Sequence, residues 1–182
     1  PGSQAHQTAE IMVSLDDVLF KEKPDFVIVR GDTNSTIAAA VATAKLNIPV
    51  AHIEAGERSF NRQMPEEINR LVVDCLANLH FCVSQAAVNH LAVEGKISSV
   101  HLVGDVMLDT LMLALPVARV RSNVLERFSL IHGQYALVTI HRAANTDKPE
   151  RLLSIIEGLN SVEEKVILPL HPRTQKALQS LN

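Results

Sequence analysis

The 182-residue chain has no tryptophan, one tyrosine and two cysteines, and aromatic residues make up only 3% of it. So few rings argue against a surface that stacks nucleic-acid bases. Seventeen lysines and arginines face twenty acidic residues, for a net charge of −3 without any basic block, so phosphate-backbone binding to nucleic acid has no footprint either. No apolar run approaches the ~18 residues that span a bilayer, and no N-terminal stretch is ordered like a signal peptide. These absences imply a cytoplasmic chain with no membrane segment. Its Cys75 and Cys82 are then expected to be reduced, buried small residues rather than a disulfide. Two cysteines without paired-histidine spacing leave no structural zinc motif.

What is present is a 47% apolar content, enough to bury a core, and an alternation of strand-like and helical patterns. Residues 26–30, 48–53, 80–83 and 100–104 are short runs rich in β-branched or aromatic residues, and 34–46, 65–79 and 85–94 read as helices. In the 65–79 helix, Ile68, Leu71, Val72, Cys75, Leu76 and Leu79 fall at i, i+3, i+4, i+7, i+8 and i+11, which predicts one buried stripe. Nearly all-apolar strands alternating with helices predict a parallel sheet covered on both faces. A second block opens near residue 134, with a strand at 134–141, a helix at 147–160, a strand at 165–170 and a helix at 172–180. The expected organisation is a first domain over 1–113, a connection over 114–133 with a short helix around 119–128, and the opening of a second domain over 134–182. Both ends read as cut, since the first ~20 residues form a helix with no strand before it.

In open parallel sheets ligands bind beyond the carboxyl ends of the strands, and this rule selects the chemistry. Gly31-Asp32-Thr33-Asn34-Ser35-Thr36 follows the first strand and opens a helix. It suits an anion site, and equally ordinary helix capping. Glu54-Ala55-Gly56 follows the second strand, with small neighbours that let a ligand approach. Glu66 and Glu67 occupy the first helical turn, where carboxylates stabilise the helix dipole with or without a catalytic role. Arg70 is the expected i, i+4 partner of Glu66. In the second block, His141-Arg142 and His171-Pro172-Arg173 end successive strands, a pairing suited to an anion such as a diphosphate.

The segments RGDTNST (30–36), IPVAHIEAGERSFNRQMPEEINR (48–70), LHFCVS (79–84), VGD (103–105), VTIHRAANTD (138–147) and LPLHPRT (168–174) resemble, in order and spacing, the UDP-N-acetylglucosamine 2-epimerase family. The resemblance spans roughly residues 8 to 176. It implies an α/β fold of the glycosyltransferase-B type, with a Rossmann-like parallel sheet and the start of a second Rossmann-like domain, the chain being truncated at both ends. It further implies epimerisation at carbon 2 of a UDP-N-acetylhexosamine by elimination and re-addition of UDP, with no metal or nicotinamide cofactor. A hydrolysing relative that releases UDP and N-acetylmannosamine, and a noncatalytic nucleotide-sugar-binding module, are the alternatives.

Carried over by motif, the family's catalytic residues fall on Asp32, Glu54, Glu66 and His141. Arg58, Arg70, Arg142, His171 and Arg173 are the substrate-binding candidates, and Arg58 and Arg62 could read an extra carboxylate on the sugar. Glu57 is expected to face solvent and Glu67 to support the helix start. The partners implied are a UDP-sugar and a second copy of the chain. Two departures from the family pattern stand out. Ala144 replaces a glutamate common in the HR..N motif, and the first strand with its GTRPE-type loop lies outside this sequence. The 182 residues alone are therefore expected to have little epimerase activity, and normal turnover by them in a UDP-release assay would refute that.

Overall fold

The computed structural model describes residues 3–181 and divides into two compact units, Pro1–Ala114 and Leu115–Asn182. The first unit opens with α1 (Gln4–Glu22), which Ser3 caps by accepting from the His6 N–H. Lys23 in left-handed conformation ends the helix, and Pro24 follows. Then β1 (Val27–Arg30), α2 (Asn34–Lys45), β2 (Val50–Ile53), α3 (Pro65–Leu76), β3 (Leu79–Cys82), α4 (Gln85–Val93) and β4 (Val100–Leu102) alternate. The four strands form one parallel sheet in the order β1-β2-β3-β4, with Val27 opposite Val50, Ala51 opposite Leu79 and His80 opposite Val100. Because every strand runs the same way, the loops after β1, β2 and β3 gather along one edge. The core joins Val29 and Val50 of the sheet to Ala40 of α2 and Val73 of α3. The alanines of α2 have no side chain beyond Cβ, so its backbone approaches the sheet closely.

The inner face of α3 differs from the expected stripe. Ile68 is 41% exposed and Cys75 is also exposed, whereas Glu67, Asn69, Val73 and Asp74 are the buried residues. The polar side chains point inward because the loops after β1 and β2 present main-chain groups that need partners, and α3 supplies them. The apolar side chains of the stripe are left half-exposed.

A second difference is α5 (Val106–Arg121), which runs through much of the expected connection with Pro116 inside it; α6 (Val124–Arg127) follows. This helix is apolar nearly all round and buries none of its residues, so it carries no amphipathic period to read. In the second unit β5 (Tyr135–Leu137) pairs in parallel with β6 (Lys165–Ile167), flanked by α7 (Ala143–Thr146), α8 (Pro149–Asn160) and α9 (Pro172–Gln179). No helix among the described residues is long and apolar enough to cross a membrane.

Candidate active site

The site of the first unit begins where β1 ends. Gly31 has φ +70, a conformation open to glycine, and turns the chain out of the sheet to present Asp32. Its N–H donates to the Ile53 carbonyl, tying the ends of β1 and β2 together. Asp32 is held twice by α3. The Asn69 amide donates to its main-chain carbonyl (2.7 Å), and Arg70 donates from Nε (2.9 Å) and Nη2 (2.6 Å) to its Oδ2. Arg70 also donates to Glu67 (3.2 Å). The expected pairing of Arg70 with Glu66 is therefore corrected. All three nitrogens of its guanidinium meet protein carboxylates, so Arg70 orients Asp32.

Glu54, just past β2, has φ +70, a strained conformation for a residue with a side chain and one that recurs at functional sites. Its main-chain N–H donates to the Phe81 carbonyl at the end of β3, which holds it there. Arg30 donates from Nε (2.9 Å) and Nη2 (2.6 Å) to Glu54 Oε1. A Cβ built on Gly31 would lie 3.5 Å from Glu54 Oε2, so this carboxylate lies over the turn that carries Asp32. Arg30 was not singled out from the sequence, although the RGD motif contains it.

Glu66 is exposed in the first turn of α3 and shares a cleft of about 280 Å³ with Asp32, Thr33, Asn34, Pro65, Asn69 and the two glutamines Gln4 and Gln7 of α1. Asn34 donates to Gln4 (2.5 Å) and Gln7 (2.6 Å), which brings α1 into the cleft wall.

Glu67 behaves differently from its neighbour. It is 2% exposed and accepts from the Ser59 N–H (2.8 Å), the Ser59 hydroxyl (2.9 Å), the Phe60 N–H (3.0 Å) and Arg70. Burial opposes its charge, but these donors outweigh it and hold the carboxyl below its usual value.

Arg58 corrects a further expectation. Its side chain is 1% exposed, pairs with Asp74 (2.7 Å) and Glu94 (2.8 Å), and donates to the Glu57 carbonyl. It is neither a solvated loop arginine nor free to read a substrate carboxylate. Burial disfavours its charge, yet Glu94 and Asp74 together hold the guanidinium above its ordinary value. Glu57, expected in solvent, is half-buried and accepts from Ser84 at 3.5 Å. Asp74, fully buried, accepts from His52 (2.6 Å) and the Gly56 N–H (3.1 Å); burial pushes its carboxyl up, but His52 and Arg58 bring it below the usual range. Neither Asp74 nor its partner His52 was singled out from the sequence.

In the second unit, Val138 donates to the Ile167 carbonyl and Thr174 to the Ile140 carbonyl, which joins the ends of β5 and β6. His141 and His171 thereby approach to 6.0 Å between ring centroids, both exposed. His171 caps α9 by accepting from the Arg173 N–H at its Nδ1 (3.2 Å), which leaves Nε2 as the donor in that arrangement. Arg173 pairs with Asp147 (3.0 Å), and Arg142 is exposed at the start of α7. Among the described residues no group of three or more His, Cys, Asp or Glu is placed to hold a metal ion.

The model of the family described as UDP-N-acetylglucosamine 2-epimerase matches residues 2–182. A UDP-N-acetylglucosamine 2-epimerase homolog of Methanococcus maripaludis is 47% identical over 179 residues, covering 98% of this chain and 50% of that protein. The UDP-2,3-diacetamido-2,3-dideoxy-D-glucuronate 2-epimerase of Pseudomonas aeruginosa is 44% identical over 186 residues, covering 99% of this chain and 51% of that protein. The crystal structure of Methanocaldococcus jannaschii UDP-GlcNAc 2-epimerase in complex with UDP-GlcNAc and UDP matches with a TM-score of 0.90 and 38% identity, covering 100% of this chain and 51% of that one. The chain spans about half the length of the curated relatives it matches. The fold class is the α/β, glycosyltransferase-B type of the structural neighbours. With a family model matched across nearly every residue, the chain belongs to the UDP-N-acetylglucosamine 2-epimerase family.

Proposed function

We propose that the complete enzyme carrying this chain epimerises carbon 2 of UDP-N-acetylglucosamine, giving UDP-N-acetylmannosamine. The observation that carries this reading is the gathering of Asp32 and Glu66 in one cleft, with Glu54 held over the Gly31 turn. In the reaction the bond between carbon 1 and the diphosphate oxygen breaks, and its electron pair leaves with UDP. The carbon 2 proton passes to a carboxylate, and a double bond forms between carbons 1 and 2. A proton delivered to the other face of carbon 2, with return of UDP to carbon 1, completes the inversion. Asp32 and Glu66 are the proton-transfer groups, and Glu54 stabilises positive charge developing on the ring. His141 assists UDP departure, with Arg142, His171 and Arg173 on the phosphate side. The 182 residues alone are inferred to turn over little.

The supporting experiment is turnover of UDP-N-acetylglucosamine by the complete enzyme in D2O, with the product read by NMR. The reading requires deuterium at carbon 2 of both epimers and UDP still attached at equilibrium. A product without deuterium at carbon 2 would refute it. Free N-acetylmannosamine with released UDP would mark the hydrolysing alternative. A second substrate, a UDP-diacetamido-uronic acid, is favoured by the 44% identity to the Pseudomonas aeruginosa enzyme named for it. The same assay with that sugar separates the two. We also infer a cytoplasmic homodimer; the half-exposed apolar stripe of α3 supports association between copies.

A further inference from the structure

We propose that His52 and Asp74 form a buried positioning couple for the Asp32 carboxylate, in which His52 donates from both ring nitrogens. The inference rests on the reading of Asp32 as a proton-transfer group. His52 lies in the middle of β2, 0% exposed, between Val29 of β1 and His80 of β3 in register. Its Nδ1 is 2.6 Å from Asp74 Oδ1 and its Nε2 is 2.8 Å from the Gly31 carbonyl oxygen. A carbonyl oxygen has no proton to give. The other Asp74 oxygen accepts from the Gly56 N–H and faces the Arg58 guanidinium at 2.7 Å, and these partners hold the carboxyl below its usual range, so the carboxylate is ionised. A ring with one proton would therefore turn a lone pair towards an oxygen lone pair, whichever tautomer it took. Two ring protons satisfy both contacts.

The groups around the couple alternate in charge. Asp74 lies between His52 and Arg58, and Glu94, the residue that caps the end of α4, lies beyond Arg58. His80 Nε2 approaches the Asp74 main-chain carbonyl (2.8 Å), so the main chain of α3 is also held at that point. The consequence falls on the Gly31–Asp32 turn. α3 fixes three acceptors there: the Gly31 carbonyl through Asp74 and His52, the Asp32 carbonyl through Asn69, and Asp32 Oδ2 through Arg70. The same helix carries Glu66. The separation of the Asp32 and Glu66 carboxylates is thus set by one rigid element, and a slack couple would release one of its three pins.

Two measurements on the complete enzyme test this. In the wild type with nitrogen-15-labelled histidine rings, NMR at neutral pH is expected to show a proton on each His52 ring nitrogen, slow to exchange because the ring is buried. One unprotonated His52 nitrogen overturns the proposal, and this readout needs no variant that folds. In the second, Asp74→Asn and His52→Gln are expected to lower kcat by ~10²-fold with KM little changed, because displacement of a positioned group acts on the chemical step. Asp32→Asn runs in parallel. If Asp32→Asn is inactive while Asp74→Asn keeps wild-type kcat, the positioning role alone fails. If Asp32→Asn keeps wild-type kcat, the catalytic reading fails and the positioning role with it, even with both ring protons in place.

Discussion

Replacing Glu66 and Glu67 one at a time should give opposite phenotypes, although the two are adjacent in sequence. Glu67→Ala removes the acceptor for the Ser59 and Phe60 N–H groups, for the Ser59 hydroxyl and for one nitrogen of Arg70. Removing one member of a buried ion pair costs about 3–5 kcal/mol. The lower end applies here, because Ser59 and Phe60 are exposed and part of the orphaned set can turn to water. Against a native stability of about 5–15 kcal/mol, a loss near 3 kcal/mol leaves a folded but weakened protein. With urea slopes of about 1–3 kcal/mol per molar, the midpoint should fall by roughly 1–3 M.

Glu66→Ala removes an exposed carboxylate that makes no hydrogen bond among the described residues, so its stability cost stays within the ~0.3–1 kcal/mol of a helix-dipole contact. Its kcat should instead fall by about 10²–10⁴-fold, the usual contribution of a positioned acid or base. Far-UV circular dichroism in urea on the complete enzyme reads the first effect, and epimer formation from UDP-N-acetylglucosamine reads the second. The reasoning is refuted if the two variants unfold at the same urea concentration, or if Glu66→Ala turns over normally.

Three further outcomes follow from the same contacts. Glu67 and Asp74 are both held below their usual carboxylate values. Unfolded Glu and Asp take up protons near pH 4.3 and 3.9, so these groups contribute fully above about pH 5, and that stability is lost as pH falls through the lower folded values; an acid unfolding curve of Glu67→Gln that matches the wild type would contradict this. Burial pushes the Cys82 thiol up to about 11, while Cys75 is exposed. Alkylation of the native enzyme at pH 8, read by peptide mass spectrometry, should therefore label Cys75 and spare Cys82. Gly56 has φ +81, and a Cβ there would meet the carbonyl carbon of Ala87 in α4 at 2.8 Å. Strain and overpacking of about 1–3 kcal/mol each should lower the melting temperature of Gly56→Ala by several degrees, and an unchanged melting curve would show that α4 can yield.

The strands of the first unit were legible because a strand buried on both faces reads as a short apolar run; strand-end placement then pointed to Asp32 and Glu54, whereas Glu66, in a helical turn, stood out only by the family motif. Local rules failed where pairing is long-range. The i, i+4 rule joined Arg70 to Glu66, but Arg70 takes Asp32, 38 residues away, and Arg58 takes Glu94, 36 residues away. The apolar period of α3 predicted the wrong buried face for a related reason: the ends of β1 and β2 required polar partners, and Glu67, Asn69 and Asp74 met that requirement. α5 escaped notice because its apolar residues surround the helix and Pro116 reads as a stop. His52 looked like one histidine among several, and no local pattern signals a ring whose two nitrogens meet oxygens from different elements.

The dense charge of residues 51–70 is sorted by asking which carboxylate oxygens the protein already occupies. Glu67 has donors on both oxygens, and so does Asp74, which anchors the segment from α3; both are buried, so neither carboxylate is open to a substrate. Both contacts of Arg70 with Asp32 converge on Oδ2, and both contacts of Arg30 with Glu54 converge on Oε1. Among the described residues, then, Asp32 Oδ1, Glu54 Oε2 and both oxygens of Glu66 have no donor. A carboxylate pinned through one oxygen is oriented while its other oxygen stays open, which is the geometric condition for taking or giving a proton at a fixed place. The buried carboxylates make that orientation possible. Glu67 and Asp74 hold the loop, the helix and the strand ends, so that Asp32, Glu54 and Glu66 each keep an open oxygen.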